Sequence, residues 1–331
     1  MPARRDFPAS AGPGAQLDLD PEIHRFVEAV HTDTARRAAG RSLSIAERRA
    51  IAAEARARWV AGGPSMADTR ELLVPACGSS FRVRIHDPGA MTPSPALIYL
   101  HGGGWTLFSI DTHDRLMREY AARTGVRVAG VDYSLSPEAR FPVALEQVLA
   151  AVRWLSTNGD SLGIDARRLA IGGDSAGANL ALSSCIALRD ADEHRDIRAL
   201  LLNYGAFARH SSDAAIEKYG GDGYMLAAGE MDEFWRNYLR DETDARNPFA
   251  CPILSDLTGL PPVFLAIPEC DLLAEQSIAL AGSLEAAGVE FEAALYKGAS
   301  HSFLEAVSIS ALSDRALTEA SNWLHAALTA A

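Results

Sequence analysis

The most constraining stretch of the chain runs from Arg168 to Leu182. Arg168-Leu169-Ala170-Ile171-Gly172 has the character of a buried strand, and Ala178-Asn179-Leu180-Ala181-Leu182 that of a small-residue helix. Between them stands Gly173-Asp174-Ser175-Ala176-Gly177, with no linker on either side. A strand that becomes a helix within five residues must bend sharply. The residue at the apex, Ser175, is forced into a strained backbone conformation that lifts its side chain clear of the sheet. Side chains two positions before and after it would strike the neighbouring strand and helix, so both positions are glycine. The turn also aims the first amides of the new helix at the space beside Ser175, where negative charge is stabilised. Such a turn demands a sheet already in place and a helix packed back onto it.

The rest of the pattern supplies that sheet. Glu71–Val74 and Phe81–Ile85 read as strands joined by a turn at Cys77-Gly78-Ser79-Ser80, an antiparallel pair at a sheet edge. Strand and helix then alternate: strands at Ala96–Leu100, Val126–Val131, Ile197–Leu202, Pro262–Ile267 and Phe291–Tyr296, and helices at Thr112–Arg123, Pro142–Leu155, Leu272–Ala287 and Leu312–Leu328. This is a mainly parallel α/β sheet with helices on both faces. Two helices precede it. Asp20-Pro21-Glu22 opens the first, with Ile23, Phe26, Val27 and Val30 on one face, and Ser44 with Glu47 forms a capping box for the second, which ends near Trp59. The alternation lapses from Tyr204 to Pro261, where a helix from Ala228 to Leu239 carries Met231, Phe234, Trp235 and Tyr238. An insertion of this length is a lid or binding element, its aromatic stripe read first as packing. Residues Met1–Gln16 are rich in Ala, Gly and Pro and read as loose. The division expected is a tail and two preceding helices over 1–65 and an α/β sheet domain over 66–331, with a further element inserted at about 205–245.

Composition narrows the partners. The net charge of −12 repels phosphate backbones and anionic lipid, which argues against nucleic acid. Cys77, Cys185, Cys251 and Cys270 are scattered without a Cys-x-x-Cys pair and read as buried free thiols in a reducing compartment. No apolar run follows the basic start of the chain and none is long enough to span a bilayer, so no signal peptide or membrane span is expected and the location expected is cytoplasmic. No His-Glu-x-x-His or Cys/His cluster is present, and no metal or other cofactor is expected.

A second signal follows strand Ala96–Leu100: His101-Gly102-Gly103-Gly104-Trp105. Three glycines free the backbone to present N–H groups at one point, as acyl transfer requires for the oxyanion of its tetrahedral intermediate. Each such donor is worth about 3 kcal/mol. A phosphate cradle is the competing use, but no Lys-Ser/Thr follows and the spacing is not Gly-x-Gly-x-x-Gly. A serine nucleophile needs a base, and in α/β-hydrolases, whose Gly-x-Ser-x-Gly turn Gly173–Gly177 resembles, the order is Ser, acid, His. Only His301 and His325 follow the insertion. His325 falls within the last helix, whereas His301 lies in a small-residue loop after a strand, where α/β sites gather. The acid comes from the loop after the preceding strand, which offers Glu269, Asp271 and Glu275; Asp271 is preferred because Glu275 is already a turn into the helix.

The pairing of His101-Gly102-Gly103-Gly104 with Gly173-Asp174-Ser175-Ala176-Gly177 resembles the hormone-sensitive-lipase family of carboxylesterases, in its GDSAG branch. The stretches Asp111–Arg115 and Asp132–Pro142 are similar to bacterial acetyl esterases. The resemblance covers roughly Leu97 to the C-terminus. It implies an α/β-hydrolase fold with a helical cap made from the N-terminal helices and the later insertion. It also implies Ser175 as nucleophile, Asp271 as acid, His301 as base, and the N–H groups of Gly103, Gly104 and Ala176 as oxyanion hole. Two motifs depart from the family pattern: Asp271-Leu272-Leu273-Ala274-Glu275 stands for Asp-Pro-Leu-x-Asp, and His301-Ser302-Phe303 for His-Gly-Phe. Neither removes a catalytic atom. His101 is read as ordering the glycine loop, Asp174 as bonding locally, and Asp132 and Tyr133 as bracing loops around the turn. Trp105 and Tyr204 are candidates for lining the substrate pocket, with packing under the cap the alternative for Trp105.

The expectation is therefore a serine carboxylesterase acting on short-chain esters, acetyl to butyryl, through an acyl-enzyme. An amidase on the same residues is the alternative enzyme, and a non-catalytic binding protein on this fold is the alternative of another class. The partner expected is a small-molecule ester; a homodimer is left open.

Overall fold

The computed structural model describes residues 18–76 and 78–330. The expectations for the tail Met1–Gln16 and for Cys77 lie outside the described residues. One eight-stranded sheet forms the body, in the order β1-β2-β4-β3-β5-β6-β7-β8. The strands are β1 (Asp68–Ala76), β2 (Ser79–Asp87), β3 (Ser94–Leu100), β4 (Arg127–Asp132), β5 (Ile164–Asp174), β6 (Ile197–Asn203), β7 (Val263–Cys270) and β8 (Phe291–Ser300). β1 and β2 pair antiparallel, as does β2 with β4; every other pairing is parallel. The antiparallel edge and parallel centre follow the sequence reading.

Two cores clothe the sheet, and the period-two alternation of strand side chains divides them. Ile98 and Leu100 of β3 face one core with helices α4 (Val143–Asn158), α5 (Ala176–Asp190) and α8 (Ala274–Ala286). Leu97 and Tyr99 face the other with α3 (Asp114–Thr124) and α9 (Ala311–Thr329). β3 is buried along its whole length, which is why it reads as an unbroken apolar run.

The N-terminal helices α1 (Pro21–Ala38) and α2 (Ile45–Val60) join the second core through Ile23, Phe26, Val27, Val30 and Trp59. Asp20 caps α1, accepting from the Glu22 and Ile23 amides at 2.8 and 3.3 Å. Ser44 and Glu47 form the expected capping box. α1 continues past its apolar stripe to Ala38, where Asp33 pairs with both Arg36 and Arg37 on the outer face. The 204–261 insertion holds α6 (Asp213–Tyr219), α7 (Ala228–Tyr238) and two short 3₁₀ turns. β8 runs on to Ser300, four residues past its expected end, because an irregularity between Pro268 and Cys270 lets Cys270 pair with Ser300. No helix among the described residues is long and apolar enough to cross a membrane.

Candidate active site

All the singled-out loops meet at one edge of the sheet, the C-terminal ends of the parallel strands. Gly102–Gly104 follow β3, Ser175 follows β5, Tyr204 follows β6, Asp271 follows β7 and His301 follows β8. Ser175 sits at φ 54°, ψ −118°, the strained apex expected of the turn. A Cβ on Gly177 would stand 1.9 Å from the Leu100 carbonyl oxygen, and one on Gly173 2.3 Å from the same atom. Only hydrogen fits at either position.

Ser175 Oγ lies 2.9 Å from His301 Nε2, and His301 Nδ1 lies 2.7 Å from Asp271 Oδ2. A carboxylate only accepts, so Nδ1–H donates to Asp271 and Nε2 is left to accept from the Ser175 hydroxyl. Asp271 takes a further bond from the Leu273 amide at 2.9 Å. All three residues are buried, Ser175 and His301 at 6% exposure and Asp271 at 2%. Burial alone would depress the imidazole's basicity, but the charge and hydrogen bond of Asp271, with smaller help from Asp174 and Glu230, raise its pKa above the ordinary value. The two rejected acids are occupied elsewhere. Glu269 accepts from the Gly298 amide, and Glu275 from Ser212 at the start of α6. His325 bonds the Thr124 carbonyl from α9.

Gly103 and Gly104 lie at φ 105° and 58°, and their N–H groups meet no acceptor among the described residues. Ala176 opens α5, so its N–H belongs to the unpaired helix start. Each glycine of the loop touches a different wall. A Cβ on Gly102 would fall 2.3 Å from Asp174 Oδ2, on Gly103 2.4 Å from the Leu107 carbonyl oxygen, and on Gly104 2.2 Å from the Phe234 ring of α7. His101 orders the loop as expected: its Nδ1 donates to the Gly102 carbonyl at 2.7 Å and its ring stacks on Tyr133. Burial, then the charge of His113, pushes its pKa down to about 4, so it stays neutral.

Asp174 corrects one reading. Its carboxylate is bonded across the fold, not locally, by Tyr99 Oη at 2.8 Å and His113 Nε2 at 3.2 Å. Burial opposes its ionisation, but His113 and Tyr99 hold its pKa below the carboxylate norm. Asp132 and Tyr133 brace as expected. Asp132 accepts from the Ile110 amide and pairs with Arg82, while Tyr133 donates to the His101 carbonyl. Trp105 is fully buried, stacked on Tyr238 with ring centroids 4.1 Å apart and tilted against Trp235 at 4.6 Å. Tyr204 stands edge-on to the His301 ring at 5.0 Å. Ser302, where the family pattern has glycine, adopts φ 58°, ψ 14°, the left-handed region that favours glycine.

Sequence reasoning missed a buried ion pair. Arg56 of α2 places Nε 2.7 Å from Glu305 Oε2, both side chains 8% exposed. The N–H is not directed along this contact and Glu305 Oε1 has no hydrogen-bond partner, so charge rather than a well-formed hydrogen bond holds the pair. The Arg56 guanidinium also lies over the Phe108 ring at 5.1 Å, and Phe108 is one of the walls of Gly103. Arg56 thus reaches both the glycine loop and the segment after His301. Nothing in the local sequence of α2 marks it.

Comparison with known proteins bears on the fold and the family. A family profile described as an α/β-hydrolase fold matches residues 97–305. The acetyl esterase of Salmonella paratyphi B is 37% identical over 270 residues, 81% of this chain and 83% of that protein. Among solved structures, a hyperthermophilic esterase from the archaeon Pyrobaculum calidifontis superposes with a TM-score of 0.87 at 30% identity, covering 93% of this chain and 98% of that one. A thermostable carboxylesterase from a metagenomic library gives a TM-score of 0.83 at 31% identity over 87% of this chain and 98% of its own.

Proposed function

Because this chain belongs to the α/β-hydrolase family, in its hormone-sensitive-lipase-like branch, and is a carboxylic ester hydrolase, we propose that it cleaves short-chain esters, acetyl to butyryl, with Ser175 as nucleophile. The observation that carries the reading is the run of contacts from Ser175 Oγ through His301 to Asp271, at 2.9 and 2.7 Å. Ser175 Oγ attacks the ester carbonyl carbon as His301 Nε2 takes its proton. The carbonyl oxygen becomes an oxyanion, held by the N–H groups of Gly103, Gly104 and Ala176. Collapse breaks the bond to the alcohol oxygen, which leaves with the proton from Nε2. Water then adds to the acyl-enzyme, giving its proton to His301, and the second collapse releases the acid and restores the serine. Asp271 fixes the imidazole tautomer and stabilises the imidazolium.

The short-chain preference rests on enclosure. Ser175 is 6% exposed, Phe234 closes on Gly104, and Arg48 of α2 pairs with Glu233 of α7 across the top. α1, α2 and α7 act together as the cap, with Tyr204 on the pocket wall beside His301 and Trp105 packed under the cap against Trp235 and Tyr238. Each acyl methylene buried gains about 0.8 kcal/mol, until a longer chain must displace packed side chains at about 1–3 kcal/mol. A p-nitrophenyl ester series tests this: kcat/KM is expected to peak at acetate to butyrate and fall steeply by octanoate. Equal turnover of the decanoate and the acetate refutes it. A serine-directed phosphonate is expected to add once per chain at Ser175; labelling elsewhere, or none, refutes the mechanism.

A further inference from the structure

Glu230 lies in the first turn of α7, one helical turn before Phe234, whose ring covers Gly104. Residues four apart share a helix face, so Glu230 stands beside Phe234 over the same loop. Four charged groups act on its carboxylate through space: Arg48 and Arg56 from α2, Glu233 from α7, and His301. Each of the three cations is committed elsewhere, Arg48 to Glu233, Arg56 to Glu305 and His301 to Asp271. The Glu230 carboxylate has no hydrogen bond or ion pair among the described residues. It is only partly exposed. Burial pushes its pKa above the ordinary glutamate value, against the pull of Arg48, Arg56 and His301.

A half-buried carboxylate without a partner is destabilising, and its place at a helix start offsets only part of that. Such a group beside a reactive imidazole has the character of a binding site awaiting its ligand. The leaving oxygen must come within hydrogen-bond reach of His301 Nε2 to receive its proton. The alcohol portion of the substrate therefore passes His301, next to the glycine loop that Phe234 covers one helical turn after Glu230. Building on the serine-esterase reading above, we propose that Glu230 is a specificity determinant that binds a cationic group on the alcohol portion, so that short-acyl esters of amino alcohols are preferred substrates. The net charge of −12 attracts cations at long range, but salt near 0.15 M screens that attraction beyond about 8 Å. A direct contact survives such salt.

The test compares acetylcholine with 3,3-dimethylbutyl acetate, which has the same shape and no charge, in 0.15 M salt by acid release. The wild type is expected to favour the cationic ester in kcat/KM. Glu230→Gln is expected to reduce the cationic-to-neutral ratio of kcat/KM about tenfold or more. Glu230→Ala repeats the measurement should the glutamine variant fold poorly. Glu290→Gln, an exposed acid at the start of β8, removes the same charge at the far end of that strand and should leave the ratio unchanged. A wild type without cation preference, or a ratio unaltered in the Glu230 variants, overturns the proposal. Failure of the wild type on p-nitrophenyl acetate would instead overturn the esterase reading beneath it.

Discussion

Arg56→Met tests whether the N-terminal helices are built into the site or merely lie over it. Arg56 and Glu305 are both 8% exposed, with N and O 2.7 Å apart. Removing the guanidinium strands a buried carboxylate that already has one oxygen without a hydrogen-bond partner. Breaking a buried pair from one side costs about 3–5 kcal/mol. For 331 residues, an unfolding entropy of about 2.1 cal/mol/K per residue gives about 0.7 kcal/mol/K, so Tm should fall by about 4–7 °C. Replacing both partners, Arg56→Met with Glu305→Leu, removes the stranded charge. It should recover most of the loss, because an apolar pair of similar volume substitutes well for a buried ion pair. The assay is a double-mutant cycle in thermal melts, with kcat on p-nitrophenyl acetate read in parallel. kcat is expected to fall in Arg56→Met, because the guanidinium packs on Phe108, which walls Gly103. A single mutant as stable as wild type, or a double mutant whose loss equals the sum of the singles, refutes the reasoning.

The charge of Asp271 leaves the His301 pKa raised, so kcat/KM should be lost as pH falls through a value above the free-imidazole 6.5 or so, when the base becomes protonated; an acid limb below about 6 contradicts this. His301→Ala should cost about three or more orders of magnitude in kcat, whereas His325→Ala, bonded to the Thr124 carbonyl, should stay near wild type in the same assay. Asp271→Asn should lower kcat by a few orders of magnitude with the melt little changed, and Glu269→Gln and Glu275→Gln should cost far less, since their partners are Gly298 and Ser212. Gly104→Ala should cut kcat at least tenfold, because its Cβ would lie 2.2 Å from the Phe234 ring at φ 58°; adding Phe234→Ala should restore part of the rate, and no restoration would mean that the backbone conformation alone sets the cost.

The fold was legible because its constraints are local. Alternating apolar runs and helical periods mark each strand and helix, and the glycines at 173 and 177 announce a turn so tight that a single methyl would strike Leu100. The same holds for the glycine run at 102–104. His301 and Asp271 could be chosen from sequence because each follows a strand on the edge where Ser175 emerges. Their meeting, across 126 and 30 residues of chain, is a consequence of strand order. What the tertiary structure decided lies between elements with no shared local pattern. Asp174 reads as a turn residue, yet its partners Tyr99 and His113 arrive from 75 and 61 residues away. Arg56 looks like any charged residue of an amphipathic helix until packing buries it against Glu305. Phe234 looks like core until its ring comes to rest on Gly104. Glu230 looks like an ordinary acid of a first helical turn, and only the pairing of Arg48, Arg56 and His301 with other carboxylates leaves its own carboxylate without a partner. Sequence carries the conformations a backbone must adopt. Which charges are satisfied, and which are left facing the substrate, depends on distances that only the packed chain sets.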